Sequence, residues 1–64
     1  MEYTNSQMAE AISEYVHNRV YREVLVLRYC DSLTYEQIAE AVGFSPQHVK
    51  YICQKHKELL FSHL

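Results

Sequence analysis

Side chains that can hydrogen-bond DNA bases and phosphates are concentrated in the last third of the chain, where a long helix is expected from residue 46. Helical periodicity places these polar residues on its outward face or at its tip: Ser45, Gln47, His48, Lys50, Tyr51, Gln54 and Lys55. Glutamine can bond adenine, lysine can reach guanine or phosphate, and tyrosine can contact a thymine methyl group or a phosphate. No acid interrupts this face before Glu58. The face is therefore suited to an anionic ligand, and the alternative for any one of these residues is a solvated helix face.

Charge is divided unevenly along the 64 residues, whose formal net charge is −2. Residues 1–43 contain seven acids and three bases, whereas residues 44–64 contain three bases and one acid, with three of the four histidines. The C-terminal third is thus the part suited to an anion. A chain this short has little room for a deep substrate pocket, so we expect neither an enzyme nor a small-molecule substrate.

The composition predicts a small all-α domain of four helices spanning residues 1–64. There is one glycine and one proline, and apolar residues recur at helical spacing. The first helix is expected over residues 5–17 and the second over 19–30, with Asn18 as its N-cap. Residues 34–61 are expected to form two more helices, the last of which is long.

The apolar stripes of these helices are the expected core faces. In chain order they are Met8, Ile12, Tyr15 and Val16; then Val20, Val24, Leu27 and either Tyr29 or Cys30; then Ile38, Ala39 and Val42; then Val49, Ile52, His56, Leu59 and Leu60. Leu25 and Val26 broaden the second stripe. Val26 is surplus, and it lies either under the first helix or on a partner surface.

The most specific local pattern is the stretch of residues 33–52, LTYEQIAEAVGFSPQHVKYI. Thr34 and Gln37 have the spacing of a capping box, and Gly43 stands where a helix end needs positive φ. Ser45 and Pro46 then suit the start of another helix. Two capped helices joined by a tight turn predict a helix-turn-helix, whose second helix normally enters the DNA major groove. The alternative is a plain hairpin in a helical bundle, which more often has a looser connection.

Cys30 and Cys53 are expected to be reduced core or boundary residues of a cytoplasmic chain, since neither a signal peptide nor a membrane-spanning run is recognisable. Cys53 and His56 share one helix face, but zinc needs about four ligands, and Cys30 and His48 would have to complete the set. His56 is expected to be a part-buried neutral histidine. We expect no catalytic residues, no metal and no cofactor.

The run REVLVLRYCDSLTYEQIAEAVGFSPQHVK resembles region four of bacterial sigma factors, the module that reads the promoter −35 element. The shared features are a Leu-Arg-Tyr helix end, a loop with Leu-Thr-Tyr, a Glu-x-Ile-Ala-Glu segment, a glycine turn and a serine before the recognition helix. The resemblance covers residues 22–60, and it extends to small phage and mobile-element transcriptional regulators. It implies a bacterial or phage DNA-binding helix-turn-helix protein.

The resemblance also implies which residues face bases and which face phosphates. The base-reading positions of the family fall on Pro46, Gln47, Lys50 and Tyr51. With the flanking outward residues, the expected base-reading set is Ser45, Pro46, Gln47, Lys50, Tyr51 and Gln54. The expected phosphate set is Arg28, Thr34, Tyr35, His48 and Lys55. Thr34 and Tyr35 also lie at a helix start, where backbone N–H groups favour a phosphate.

Two functions remain open from the sequence. The first is a sequence-specific DNA-binding transcription regulator, acting as a homodimer because one recognition helix makes few phosphate contacts. Its dimer surface would be Met8, Ile12 and Tyr15 of the first helix together with Val26. The second is a module that binds RNA polymerase, a sigma factor or another regulator, with weak DNA contact. The excess of acids over bases in residues 1–43 favours it, and so does the absence from the recognition helix of the arginines that sigma factors carry there. A redox or metal switch at the two cysteines has the least support.

Overall fold

The computed structural model describes residues 4–62, and in that range the chain forms four α-helices and no strand. The helices are α1 (Asn5–Tyr15), α2 (Arg19–Tyr29), α3 (Tyr35–Val42) and α4 (Pro46–Ser62). The all-α fold expected from the sequence is confirmed. None of these helices combines the length and apolar composition needed to cross a lipid bilayer.

Helices α2 and α4 form the centre of the packing, because each of them contacts the three other helices. In contrast, α1 and α3 do not contact each other, and each packs only on the central pair. The recognition helix α4 is therefore also a core helix. Any DNA contact must use the part of its surface that α1, α2 and α3 leave open.

The core is apolar, and no polar side chain of residues 4–62 is buried in it. It draws side chains from every helix and from the connection after α1. Its buried members are Met8, Ala11, Ile12, Val16, Val24, Leu25, Ile38, Ala39, Val49, Ile52, Cys53 and Leu60. Because a chain of this size buries a small share of its surface, each of these side chains carries a large part of the stability.

The start of α3 has the predicted capping box. The Gln37 N–H donates to Thr34 Oγ1 at 3.1 Å, and the Thr34 N–H donates to Gln37 Oε1 at 2.9 Å. The same Thr-x-x-Gln box begins α1, where the Gln7 N–H donates to Thr4 Oγ1 at 3.1 Å. Two N–H groups that a helix start would otherwise leave unpaired are satisfied in each case.

The turn from α3 to α4 also has the predicted form. Gly43 adopts a left-handed backbone with φ 79° and ψ 24°. The Phe44 N–H donates back to the Ala39 carbonyl at 3.0 Å, which closes a Schellman-type end to α3. Ser45 Oγ then accepts the His48 N–H at 3.2 Å, so α4 starts from a capped end.

Helix α1 ends at Tyr15, two residues earlier than expected. Val16 is extended, with φ −113° and ψ 113°, and its side chain is only 2% exposed. The chain thus leaves the helix while inserting Val16 into the core. Asn18 caps α2 by accepting the Val20 and Tyr21 N–H groups, as predicted, and a cap residue needs the same non-helical backbone.

The buried face of α2 differs from the expected one at its N-terminal end. Val24 and Leu25 are fully buried, whereas Val20 is 39% exposed. Tyr21 and Arg28 are half-buried beside them, so the inner face follows positions 21, 24, 25 and 28. Leu27, Tyr29 and Cys30 are half-buried against the core, as expected. The expectation was wrong for Val20 and missed Tyr21 and Arg28, because tyrosine and arginine bury their stems while their polar ends reach water or a partner.

The inner face of α4 differs from the expected one at Leu59, whose side chain is 38% exposed. Cys53, which was expected in the core or at its boundary, is 1% exposed. Cys53 joins Val49, Ile52 and Leu60, whose spacing follows the 3.6-residue helical repeat. Leu59 lies about 100° around the helix from Leu60, and it therefore points past the edge of the core.

Helix α1 completes the core rather than forming a dimer surface. Met8 and Ile12 are 6% and 1% exposed, and α1 contacts α2 and α4. Its start is tied to the end of α2, since Asn5 Nδ2 donates to the Cys30 carbonyl at 3.3 Å. Val26 is half-buried against the same core. The sequence left two roles open for this apolar stripe, a dimer surface or part of the core, and the burial of Met8 and Ile12 supports the second.

We expect Ile12→Ala to lower the free energy of unfolding by about 2–4 kcal/mol, because it removes a fully buried side chain from the α1 contact. Urea unfolding followed by circular dichroism measures this. The matched control is Ser13→Ala, an exposed neighbour on the same helix, with a change within about 0.5 kcal/mol. A loss below about 1 kcal/mol for Ile12→Ala would show that α1 is not part of the core.

Gly43→Ala should cost about 1–2 kcal/mol through the backbone alone. A Cβ at this position meets nothing within 4 Å, so no steric clash contributes, but φ of 79° disfavours any residue with a side chain. Gly43→Asn is the control, since asparagine tolerates this conformation better, and it should cost less. Equal stability of Gly43→Ala and the native chain in urea would contradict the left-handed turn.

Candidate nucleic-acid interface

The residues expected to read bases lie before α4 or in its first three turns, and all are exposed. They are Ser45, Pro46, Gln47, Lys50, Tyr51 and Gln54. Tyr51 is 57% exposed. Positions 47, 50, 51 and 54 share one face, and a rise of 1.5 Å per residue spreads them over about 10 Å. A major groove about 12 Å wide admits an α-helix, so side chains spread over this length can reach base edges.

An aromatic row, formed by Phe44, His48 and Tyr51, runs along the start of α4. The Phe44 and His48 ring centroids are 4.8 Å apart in an edge-on contact. The His48 and Tyr51 rings are nearly parallel, at 17°, with centroids 6.5 Å apart. Lys55 Nζ lies 5.8 Å from the Tyr51 centroid. Phe44 packs against the core, so the row connects the exposed His48 and Tyr51 rings to the body of the domain.

A second group lies where α2 leads into α3. The Arg28 guanidinium carbon lies 4.4 Å from the Tyr35 ring centroid, within the range of a cation–π contact. Arg28 Nη1 also donates to the Leu33 carbonyl at 2.9 Å. Thr34 lies between these two contacts in the chain. The structure thus brings together Arg28, Thr34 and Tyr35 of the expected phosphate set, while His48 and Lys55 lie along α4.

The positive charge of this interface is local. Residues 46–57 contain three lysines and no acid, and Lys50 and Lys55 are exposed. Glu36 and Glu40 are exposed on the neighbouring α3, and Glu36 lies in its first turn. A carboxylate there stabilises the helix dipole but repels a phosphate at the same end. The electrostatic attraction for DNA must therefore come chiefly from α4.

The cysteines and His56 have structural roles. Burial raises the pKa of the Cys53 thiol, and burial followed by the nearby Asp31 charge raises that of Cys30. Both thiols are thus poor nucleophiles and poor ligands at neutral pH. His56 Nδ1 lies 2.8 Å from the Ile52 carbonyl, which can only accept, so Nδ1 donates. Across residues 4–62, no three His, Cys, Asp or Glu side chains are grouped to hold a metal ion.

Two capped helices, a left-handed glycine between them and an open polar face on the second helix define a helix-turn-helix of the DNA-binding type. The family profile for sigma-70, region 4, matches residues 18–54, which is more than half of the chain. The chain therefore belongs to the sigma-70 region 4 family. No curated protein and no solved structure gives a significant match.

The family match coincides with the helix-turn-helix and the helix that supports it. It begins at Asn18, the N-cap of α2, and ends at Gln54 in α4. It includes every expected site residue except Lys55, and it leaves α1 outside. Domains of this family bind DNA rather than catalyse reactions.

Two contributions to the interface were missed from the sequence. Phe44 supports His48, and their spacing of four residues across the Ser45 cap was an available signal. The Leu33 carbonyl accepts from Arg28, and no side-chain pattern could have identified a backbone acceptor.

We expect the free energy of unfolding to fall as the pH rises through the thiol range. Burial raises the pKa of Cys53, so the folded chain keeps this proton to a higher pH than the unfolded chain. The stabilisation is complete below the ordinary thiol pKa of about 8.5 and is lost progressively above it, as the pH approaches the raised pKa of Cys53. Cys53→Ala should make the fall smaller, as measured by urea unfolding at about pH 7.5 and pH 9.5. An equal fall in this variant would show that Cys53 makes no contribution.

Proposed function

We propose that this chain is a sequence-specific DNA-binding regulator of transcription. It inserts the first three turns of α4 into the major groove of double-stranded DNA. One observation carries this proposal: α4 begins at a capped end with an exposed polar face and no acid before Glu58, in a chain of the sigma-70 region 4 family. A helix-turn-helix presents this part of its second helix to base edges.

Base reading is assigned to the shared face of Gln47, Lys50, Tyr51 and Gln54, with Ser45 and Pro46 at its tip. Gln47 and Gln54 suit adenine, whose N6 and N7 match the amide group. Lys50 suits guanine, and Tyr51 offers an apolar edge to a thymine methyl group. Because these side chains lie on a helix buried on its other face, they are presented in a fixed register.

Phosphate contacts are assigned to both sides of that face. His48 and Lys55 flank Tyr51 on α4, and Thr34 and Tyr35 lie at the N-terminal end of α3. Few of these groups carry a full positive charge. With about two to three phosphates neutralised, the logarithm of the binding constant should fall with a slope of about −2 to −3 against the logarithm of salt concentration. Binding by one chain is therefore weak at physiological salt.

Weak binding by one chain favours a second contact. A homodimer would double the phosphate contacts over two half-sites, and RNA polymerase or a sigma factor would supply them in another way. The dimer surface cannot be the apolar face of α1, which is buried. A DNA target of this kind implies action in the cytoplasm of a bacterial or phage-infected cell.

The experiment is selection from a random duplex pool at low and physiological salt, with the oligomeric state measured by sedimentation in the same buffers. Enrichment of one motif, with affinity that falls as salt rises, supports the proposal. A two-fold symmetric motif indicates the homodimer. Absence of binding at low salt would contradict autonomous DNA recognition.

Lys50→Glu should weaken binding to the selected duplex by at least about tenfold and relax specificity at one base pair. Lys57→Glu is the matched control, since it makes the same charge change on α4 outside the residues assigned to base reading, about 10 Å along the helix from Lys50. It should weaken binding by less than about threefold. Equal losses for the two variants would indicate general electrostatic attraction instead of base reading.

The second candidate function is a protein-interaction module for RNA polymerase, a sigma factor or another regulator. Two observations favour it: acids outnumber bases by seven to three in residues 1–43, and α4 has no arginine. It predicts no enriched DNA motif and unchanged regulation in Lys50→Glu. Recovery of RNA polymerase on the immobilised chain, retained in that variant, would then identify the partner.

A further inference from the structure

The loop that joins α2 to α3 is held in a conformation that its residues do not favour by themselves. Ser32 has φ of 59°, a left-handed value that side-chain-bearing residues rarely adopt. The Asp31 N–H donates to the Val26 carbonyl at 3.2 Å, and the Leu33 N–H donates to the Leu27 carbonyl at 3.0 Å. Strained backbone persists only where the surroundings over-determine it. Here the surroundings are these two backbone hydrogen bonds and the Arg28 contacts described above.

Arg28 contacts the loop on both sides of Thr34. Its Nη1 donates to the carbonyl of Leu33, the residue before Thr34, and its guanidinium covers the ring of Tyr35, the residue after it. Thr34 is the N-cap of α3. The side chain of Arg28 is half-buried in this arrangement. One planar group thus fixes the residue that starts α3 from both directions.

We propose that Arg28 is a positioning residue, which acts through Leu33 and Tyr35 to hold the N-terminal end of α3, and does not itself contact a DNA phosphate. This inference rests on the proposed DNA-binding function and replaces the phosphate role that the sequence suggested for Arg28. A guanidinium that turned toward a phosphate would have to leave the Tyr35 ring or the Leu33 carbonyl. The strained loop would then lose its support.

Lysine cannot replace arginine in this arrangement. The guanidinium is planar and can stack on a ring while an N–H group bonds a carbonyl in its own plane, whereas an ammonium group is a compact point charge. At a phosphate, by contrast, lysine serves nearly as well. Arg28→Lys therefore separates the two roles, because it keeps the charge and removes the geometry.

The first test needs no DNA. Amide hydrogen exchange measured by NMR should show the Leu33 and Gln37 N–H groups exchanging at least about fivefold faster in Arg28→Lys. The Gln7 N–H is the internal control, since it is held by the same type of capping box on α1, and its exchange should not change. Unchanged exchange at Leu33 and Gln37 would overturn the proposal.

A matched variant tests whether any α2 arginine would have this effect. Arg22 Nε donates to the Val16 carbonyl in the α1–α2 connection, away from α3. Arg22→Lys should leave both the Leu33 and Gln37 exchange rates and the DNA affinity unchanged. If it altered them as Arg28→Lys does, general loosening of the chain would explain the result, and the positioning role would be rejected.

The second test is the salt dependence of DNA binding, on a duplex the native chain binds and at a temperature where all variants are folded. Arg28→Lys and Arg28→Met should weaken binding by a similar factor of about five to tenfold, with the salt slope of Arg28→Lys unchanged. A phosphate contact predicts otherwise: Arg28→Lys would bind like the native chain, and Arg28→Met would lower the slope by about 0.9. That pattern would overturn the proposal.

The two tests also separate this inference from the proposed function. If the native chain binds no duplex at low salt, the DNA function fails, and with it the role of Arg28 in DNA binding. The exchange measurement still decides whether Arg28 orders the start of α3. If the native chain binds DNA, Arg28→Lys binds like it and Arg28→Met lowers the salt slope, only the inference about Arg28 fails.

Discussion

The position of α4 depends on the left-handed backbone at Gly43. That single conformation ends α3, allows the Phe44 N–H to return to the Ala39 carbonyl and leaves Ser45 in place to cap α4. Only three residues join α3 to α4, and the two helices contact each other while the outward face of the first turns of α4 stays exposed. No other residue type adopts this φ without cost, which explains why the glycine of the chain is found here.

Because the domain is small, the same helix both contributes to the core and carries the residues assigned to base reading. Val49, Ile52, Cys53 and Leu60 of α4 are buried, and the residues assigned to base reading lie on the opposite side. A helix packed against three others presents its outward side chains from a rigid base, which favours defined contacts. The acids are spread over the rest of the chain, so the net charge is negative while the outward face of α4 stays basic. Attraction to any DNA is thereby limited, and selectivity depends on what the side chains of α4 read.

Local patterns predicted the local structure well. The Thr34 box, the Gly43 turn and the Asn18 cap follow from residue types at fixed offsets, because each satisfies a backbone group within four residues. The packing partners of each helix were harder to predict. The role of α1 was open, because the stripe containing Ile12 suits a partner chain as well as its own core. On α2, Val20 was wrongly placed in the core and half-buried Tyr21 was missed, since tyrosine does not look like a core residue in the sequence. For the candidate site, the sequence indicated the outward face of α4 but not the contact of Arg28 with the Leu33 carbonyl, which has no sequence signal.

The most direct test of the central claim is an NMR titration of the isotopically labelled chain with a mixed-sequence duplex at low salt. DNA recognition through α4 predicts shift changes concentrated in residues 45–55 and at Thr34 and Tyr35, with little change in α1. It also predicts that the changes reverse as salt is added, because the phosphate contacts depend on counterion release. Shifts centred on α1, or none at any salt concentration, would contradict DNA recognition through α4.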